Sequence, residues 1–197
     1  YSLLSIVFIL GCGKPLYKDS RFVFGTYVEI ISPDPRASEI ILEEFKRFEA
    51  EFNMFSADSE LSKLNNSADM VVSPELFDLI LSARKFYSET DRIFDVTIAP
   101  LSIIWKKAIA SGRLPEDKEV KDALSNIGFE NVYLDTQVRR VKFLKLGVKM
   151  DLGGIADGFA IDKAVAKLKA LGIFSALINV GGDIYCLGSN NGKPWKV

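Results

Sequence analysis

The stretch MDLGGIADGFAIDKA, residues 150–164, constrains the fold more than any other part of the chain. An apolar run ending at Asp151 reads as a strand, the small residues after it as a turn, and the spacing beyond as an amphipathic helix that runs to about Leu171 and stops at Gly172. A hand-over of this kind leaves the first helical N–H groups without intrahelical acceptors and points the positive end of the helix dipole at the same spot. An anionic phosphate fits there, and Gly153 and Gly154 let the backbone approach it closely. The spacing is neither G-x-G-x-x-G nor a loop ending in Gly-Lys-Ser/Thr. A tight turn capped by Asp151 accounts for the same residues, so both readings stand at this point.

The carboxylates of the stretch have different prospects. Asp157 and Asp162 lie about 140° apart around a helix that turns roughly 100° per residue, so they share no face. Asp162 is assigned to solvent or to a lysine, whereas Asp157, in the first turn, is favoured there by the dipole. Asp151 and the carbonyls of the glycine turn are the better donors for Mg²⁺, which binds few protein ligands and keeps phosphate and water in its shell.

Composition removes several chemistries. Of 197 residues 48% are hydrophobic, enough for a full core in one compact domain or two small lobes. Twenty-five basic residues balance 26 acidic ones with no long run of either sign, which argues against nucleic acid as a partner. Histidine is absent, and with it go His-based zinc sites and every Ser-His or Cys-His pair within this sequence. Carboxylates, hydroxyls, backbone groups or an oxygen-held metal must do any chemistry.

The coarse layout is α+β, with mixed or antiparallel sheets and packed helices. VFGTYVEIIS (23–32) alternates as a strand, and a helix follows from about Ser38 to Phe52 with Ile41, Phe45, Phe48 and Phe52 on one face. Residues 53–72 read as a polar loop. Ser73 caps a helix with Pro74 in its first position, burying Leu76, Phe77, Ile80, Leu81 and Phe86. A third helix opens near Pro100 and ends by Gly112; a fourth runs from Glu116 to Ile127 and stops at a left-handed Gly128. Strands are expected around 131–134, 138–143, 148–151, 176–180 and 184–187, with a Gly181-Gly182 turn between the last two and a hairpin turn at Asn191-Gly192.

The ends carry their own signals. Residues 1–12 read as a secretory segment: about ten apolar residues, too few to span a bilayer, end in Ile9-Leu10-Gly11-Cys12, which resembles the bacterial lipobox whose cysteine is lipidated. A buried first strand is the alternative. Residues 13–22 read as a short linker. PWKV begins a further strand at the C-terminal end, so the expectation is a chain truncated on that side.

Five stretches together resemble a family. GTYVEI (25–30), FNMFSADSELSKLN (52–65), FDVTIAPLSIIWKK (94–107), MDLGGIADGFAIDKA (150–164) and ALINVGGDIYCLGSNNGKPWKV (176–197) occur in the order and spacing of the ApbE-like FAD:protein FMN transferases, over residues 23–197. The resemblance implies a T-fold-like architecture and a Mg²⁺-dependent reaction: FAD is split at its pyrophosphate, FMN joins a threonine hydroxyl of a partner flavoprotein such as a membrane redox subunit, and AMP leaves. It also implies a lipoprotein held at the bacterial cell membrane on the extracytoplasmic side through Cys12. Cofactor-binding positions carried over are Phe24, near the flavin; Phe55, an aromatic flanking the isoalloxazine ring; Phe94, Asp95, Val96 and Thr97, lining the FAD site; Asp151; and Asp157, where the family frequently has Lys. The Gly154 carbonyl is the implied Mg²⁺ ligand, and Asn179, Gly181, Gly182 and Asp183 form a turn read as architectural. The family's principal metal ligands, an Asp and a Thr one helical turn apart, and a His-containing segment fall past Val197, and no catalytic residue is assigned.

Plain alternatives accompany these roles. Phe55 also reads as core, Asp95 with Thr97 as an Asx turn, and Ser59, Glu60, Ser62 and Asn65 as a solvated loop. Lys106-Lys107 reads as a helix end and nothing more. Two rival functions are an FAD-binding or FAD-hydrolysing lipoprotein without transferase activity, and a lipid-anchored solute-binding or scaffold protein.

Overall fold

A computed structural model describes residues 14–23 and 25–197, so Cys12 and Phe24 lie outside the described residues. In chain order the elements are β1 (Tyr17–Val23), β2 (Thr26–Ser32), α1 (Ala37–Phe52), α2 (Glu60–Ser67), β3 (Asp69–Val71), α3 (Pro74–Glu89), α4 (Ala99–Ser111), α5 (Asp117–Leu124), β4 (Val132–Asp135), β5 (Arg140–Phe143), α6 (Gly153–Ala170), β6 (Ala176–Val180) and β7 (Asp183–Leu187). This is the expected α+β arrangement, with antiparallel strand pairing throughout both sheets. The chain divides into two compact units whose boundaries fall inside α1 and α6.

The first unit comprises the described part of Tyr1–Leu42 together with Ala164–Val197, built on a sheet of order β1-β2-β6-β7. Alternation along β2 buries Val28, Ile30 and Ser32 and leaves Tyr27 at 70% exposure. The buried Ser32 hydroxyl donates to the Ser175 carbonyl at 2.7 Å and accepts from the Asp34 N–H, so its desolvation is compensated. Between β6 and β7 the Gly181-Gly182 turn has φ of +58° and +111°, conformations that side-chain-bearing residues avoid. Asn179 accepts from the Gly182 N–H at 3.0 Å, which fits the architectural reading of that turn.

The second unit, Glu43–Lys163, holds the sheet β3-β5-β4 and helices α2 to α5. Its core includes Phe45, Phe48, Leu61, Leu64, Leu76, Leu79, Ile80 and Met150. Phe48 meets Phe52 and Phe159 edge-to-face at 5.0 and 5.7 Å. Arg47 joins Glu44 and Glu51 of α1 to Glu75 of α3, and hydrogen bonding to Glu75 holds its guanidinium above the usual arginine value.

Several expectations are corrected. Within the stretch read as a linker, residues 17–22 belong to β1, which pairs with β2 along its whole length. The 53–72 segment contains α2 and β3; eight residues give too little periodicity to register, and α2 shows solvent a polar face over buried Leu61 and Leu64. Residues 148–151 make only one isolated parallel bridge, Ile98 to Lys149, in place of a ladder. In α3, Leu79 and Ala83 are buried while Phe86 is 46% exposed and Leu81 only partly covered. The fourth helix ends at Leu124, earlier than expected, while Gly128 takes the positive φ, +143°, that favours glycine, ahead of a 3-10 turn at Phe129–Asn131.

Candidate functional site

The hand-over into α6 is held from two sides within the second unit. Asn65, at the end of α2 and 7% exposed, donates from Nδ2 to the Met150 carbonyl at 2.8 Å, while its Oδ1 accepts from the Met150 N–H at 2.7 Å. One side-chain amide thus satisfies both backbone groups of a buried residue, as a neighbouring strand would. On the next residue the Asp151 N–H donates to the Val96 carbonyl at 2.7 Å. With the Ile98–Lys149 bridge, these bonds fix where the chain turns.

At the turn, Asp151 Oδ1 accepts from the Gly153 N–H at 3.0 Å, so the capping alternative describes that amide correctly. The Ile155 and Ala156 amides donate to the Leu152 carbonyl, and among the described residues the Gly154 N–H has no acceptor. Both glycines are exposed, and neither has a positive φ. A Cβ on Gly154 would stand 3.2 Å from Phe94 Cε2, a tight approach that a shift of the ring by a few tenths of an ångström would relieve. Phe94 in turn packs edge-to-face on Phe86 at 6.0 Å.

Phe94, Asp95, Val96 and Thr97 divide by exposure. Asp95 Oδ1 accepts from the Thr97 N–H and hydroxyl at 2.8 and 2.6 Å, and Oδ2 accepts from the Phe129 N–H at 3.2 Å. Thr97 Oγ1 also accepts from the Gly128 N–H at 2.7 Å. Thr97 is fully buried and Val96 is 2% exposed, so their side chains have structural work and face no ligand in this conformation. Asp95 is half-buried with both oxygens engaged, leaving Phe94 as the ring that borders the glycine turn. Next door, the Tyr87 hydroxyl donates to Glu130 at 2.8 Å; that bond holds the Glu130 carboxyl below its ordinary value, while burial raises the Tyr87 phenol. A cavity of about 450 Å³ lined by Tyr87, Ser88, Asp91 and Arg92 includes none of the residues singled out in the sequence.

Phe55 is not core. It is 50% exposed beyond the end of α1, its N–H donating to Asn53 Oδ1 at 2.9 Å, and the Lys106 ammonium lies 3.2 Å from its ring centroid. A cation–π contact at such an exposed site contributes about 0.5–1 kcal/mol. Lys106 is therefore not a helix end: it stands inside α4 (Ala99–Ser111) and makes a contact that two residues about fifty positions apart do not advertise in sequence. Asn65 is the other residue whose role was hidden: far from a solvated loop, it is buried and pins the Met150 backbone.

Metal binding by the described residues alone is not supported. They contain no group of three His, Cys, Asp or Glu able to hold an ion. Gly154 sits in the first turn of α6, where its carbonyl is aligned with the helix axis for the residue four on. Asp157 is half-buried one turn further along, past the first turn in which it was expected, because α6 already begins at Gly153. Asp151 is the one carboxylate at the turn, too small a donor set for a resident Mg²⁺.

Comparison with known proteins agrees with the arrangement. The family model described as the ApbE family matches residues 24–197. The FAD:protein FMN transferase of Treponema pallidum is 31% identical, over 89% of this chain and 53% of the relative; that of Haemophilus influenzae is 26% identical, over 85% and 51%. The crystal structure of the ApbE protein of Thermotoga maritima is similar at a TM-score of 0.82 and 32% identity, covering 91% of this chain and 61% of that one. The flavin transferase ApbE of Vibrio cholerae shares the fold at a TM-score of 0.81 and 22% identity, covering 93% and 63%. The chain spans about half the length of the curated relatives it matches. With a family match that runs from β2 to the last strand, β7, and beyond it to Val197, this chain belongs to the ApbE family.

Proposed function

We propose that the protein to which this chain belongs transfers FMN from FAD to a threonine hydroxyl of an acceptor flavoprotein. The threonine oxygen forms a bond to the flavin-side phosphorus, the phosphoanhydride breaks, AMP leaves with the bridging oxygen, and the hydroxyl proton passes to solvent or to a base outside the described residues. The observation that carries this reading is the family match over residues 24–197, whose relatives are named FAD:protein FMN transferases. The geometry is compatible: an exposed aromatic ring at Phe55 and an exposed helix start at Gly153-Gly154 lie in one unit, suited to a flavin ring and a phosphate respectively.

Within that reading, Phe55 and Phe94 offer surfaces for the ring, Asp95 and Thr97 hold the loop that positions Phe94, and the Gly154 N–H receives a phosphate oxygen. Phe24 and Asp157 remain candidate contacts. Mg²⁺ would neutralise charge on the phosphates, and holding it requires donors beyond Asp151. The proposal also places the protein at the extracytoplasmic side of a bacterial membrane through lipidated Cys12; among the described residues no helix is long and apolar enough to cross a membrane.

Full-length protein incubated with FAD, Mg²⁺ and a threonine-bearing acceptor should yield an acceptor heavier by one FMN, with AMP released in equal amount. AMP and free FMN without acceptor labelling would instead select the hydrolase. Failure to retain FAD would select the scaffold reading, which draws support from the Asp151 cap already occupying the Gly153 amide.

A further inference from the structure

Phe55 and Lys106 present an unusual pairing for two exposed side chains. Half of the Phe55 surface is open, yet one face of its ring is covered by the Lys106 ammonium, 3.2 Å from the centroid. That face accommodates a cation or a stacked ring, not both. Lys106 stands on α4 in an exposed position, and among the described residues no carboxylate lies within salt-bridge distance of it. The arginine just past the helix, Arg113, has by contrast two acidic partners, Glu116 and Glu119. Lys106 is thus a full positive charge held by a weak contact to a neutral ring.

We propose that Lys106 is a specificity-determining residue for phosphorylated flavin: the isoalloxazine takes the Phe55 face, and the displaced ammonium moves to a phosphate of the ligand. This inference rests on the flavin reading above and adds to it a residue and a discrimination. The chemistry selects the phosphate, because the oxidised isoalloxazine is neutral and the phosphates carry the negative charge of FMN and FAD. A lysine is a compact point charge on a flexible four-carbon stem, so it can leave a ring and reach an anion beside it without movement of the helix. The exchange is favourable in both steps: Phe55 trades a small cation for a broad aromatic surface, and the ammonium trades a quadrupole for a formal charge. Riboflavin, with the same ring and no phosphate, offers only the first of these gains and forfeits the cation–π contact.

The test compares FAD and riboflavin binding to full-length protein by flavin fluorescence titration, for wild type, Lys106→Met, Lys106→Arg and Phe55→Leu. Lys106→Met should weaken FAD by roughly three- to tenfold, the range for a partly exposed charge-assisted contact, and leave riboflavin unchanged or slightly tighter. The same substitution should reduce the salt dependence of FAD binding, and Lys106→Arg should preserve most of the FAD preference. Phe55→Leu should weaken both flavins. Equal loss of FAD and riboflavin in Lys106→Met, or no loss of either, overturns the inference while leaving the flavin reading intact. Wild-type protein that binds neither flavin overturns the flavin reading and this inference with it. Because Lys106 is exposed, thermal melts of the variants should match wild type, separating a binding effect from misfolding.

Discussion

Gly153-Gly154 and Gly181-Gly182 are the same dipeptide used in two ways. The second pair sits between β6 and β7 with φ of +58° and +111°, so the backbone itself demands glycine. The first pair opens α6 without a positive φ, and what limits a side chain there is the closeness of neighbours: a Cβ on Gly153 would stand 3.2 Å from Asp151 Oδ1, and one on Gly154 3.2 Å from Phe94 Cε2, approaches that small side-chain shifts relieve. One turn is specified by local conformation, the other by what the rest of its unit brings against it. A conformational requirement costs stability when broken; a spacing requirement at an exposed turn costs mainly what binds there.

The largest effect should come from removing the group that places the first turn. Asn65→Ala leaves the buried N–H and C=O of Met150 without partners, and about 2–4 kcal/mol of stability should be lost, read by denaturant unfolding. Gly181→Ala should cost about 1–2 kcal/mol, since it forces a side chain into a left-handed conformation and sets a Cβ 2.7 Å from Thr26 Oγ1. Gly154→Ala should change stability by less than about 1 kcal/mol, because the helix propensity gained offsets the contact with Phe94. Its FAD affinity, however, should fall severalfold. Loss of stability at Gly154 comparable to that at Gly181 would dissolve the distinction between the two turns.

The smallest effect lies away from both turns and serves as a reference. Arg140 bridges to Asp69 across the β3–β5 pair, and that hydrogen bond holds the Asp69 carboxyl below its ordinary value. A depressed folded-state value means the contribution is fully present above the unfolded value and is lost as pH falls through the folded one. The difference in melting temperature between wild type and Asp69→Asn should therefore be small near pH 6 and shrink further below about pH 4.

Long elements with strong periodicity or caps were readable. The Ser73-Pro74 start of α3, the Gly112 stop of α4, and β2, β6 and the glycine turn after it all follow from local chemistry. What escaped was short or depended on distant partners. β1 is a polar edge strand that reads as a linker until β2 is beside it. Residues 148–151 look like a strand, yet their hydrogen bonds go to the Asn65 amide and the Val96 carbonyl, so no ladder forms. Among the candidate site residues, Asp151, Phe94 and Gly154 do meet around one turn. Val96 and Thr97, read as lining the same site, turn inward, because the Asp95-Thr97 Asx turn is used to hold residues 128–129.

Sequence alone determined which chemistry is open to this protein, its α+β layout, its family resemblance and the places where the chain must turn, because these follow from residue type and from neighbours within a few positions. Tertiary structure decided which groups remain available: it occupied Asp95 and Thr97, buried Asn65 against Met150, and set Lys106 on Phe55. The reason is physical. A polar group's function depends on whether its hydrogen bonds and charge are already satisfied, and beyond the local Asp95–Thr97 pair the partners that satisfy them here lie about thirty to eighty-five residues away in the chain.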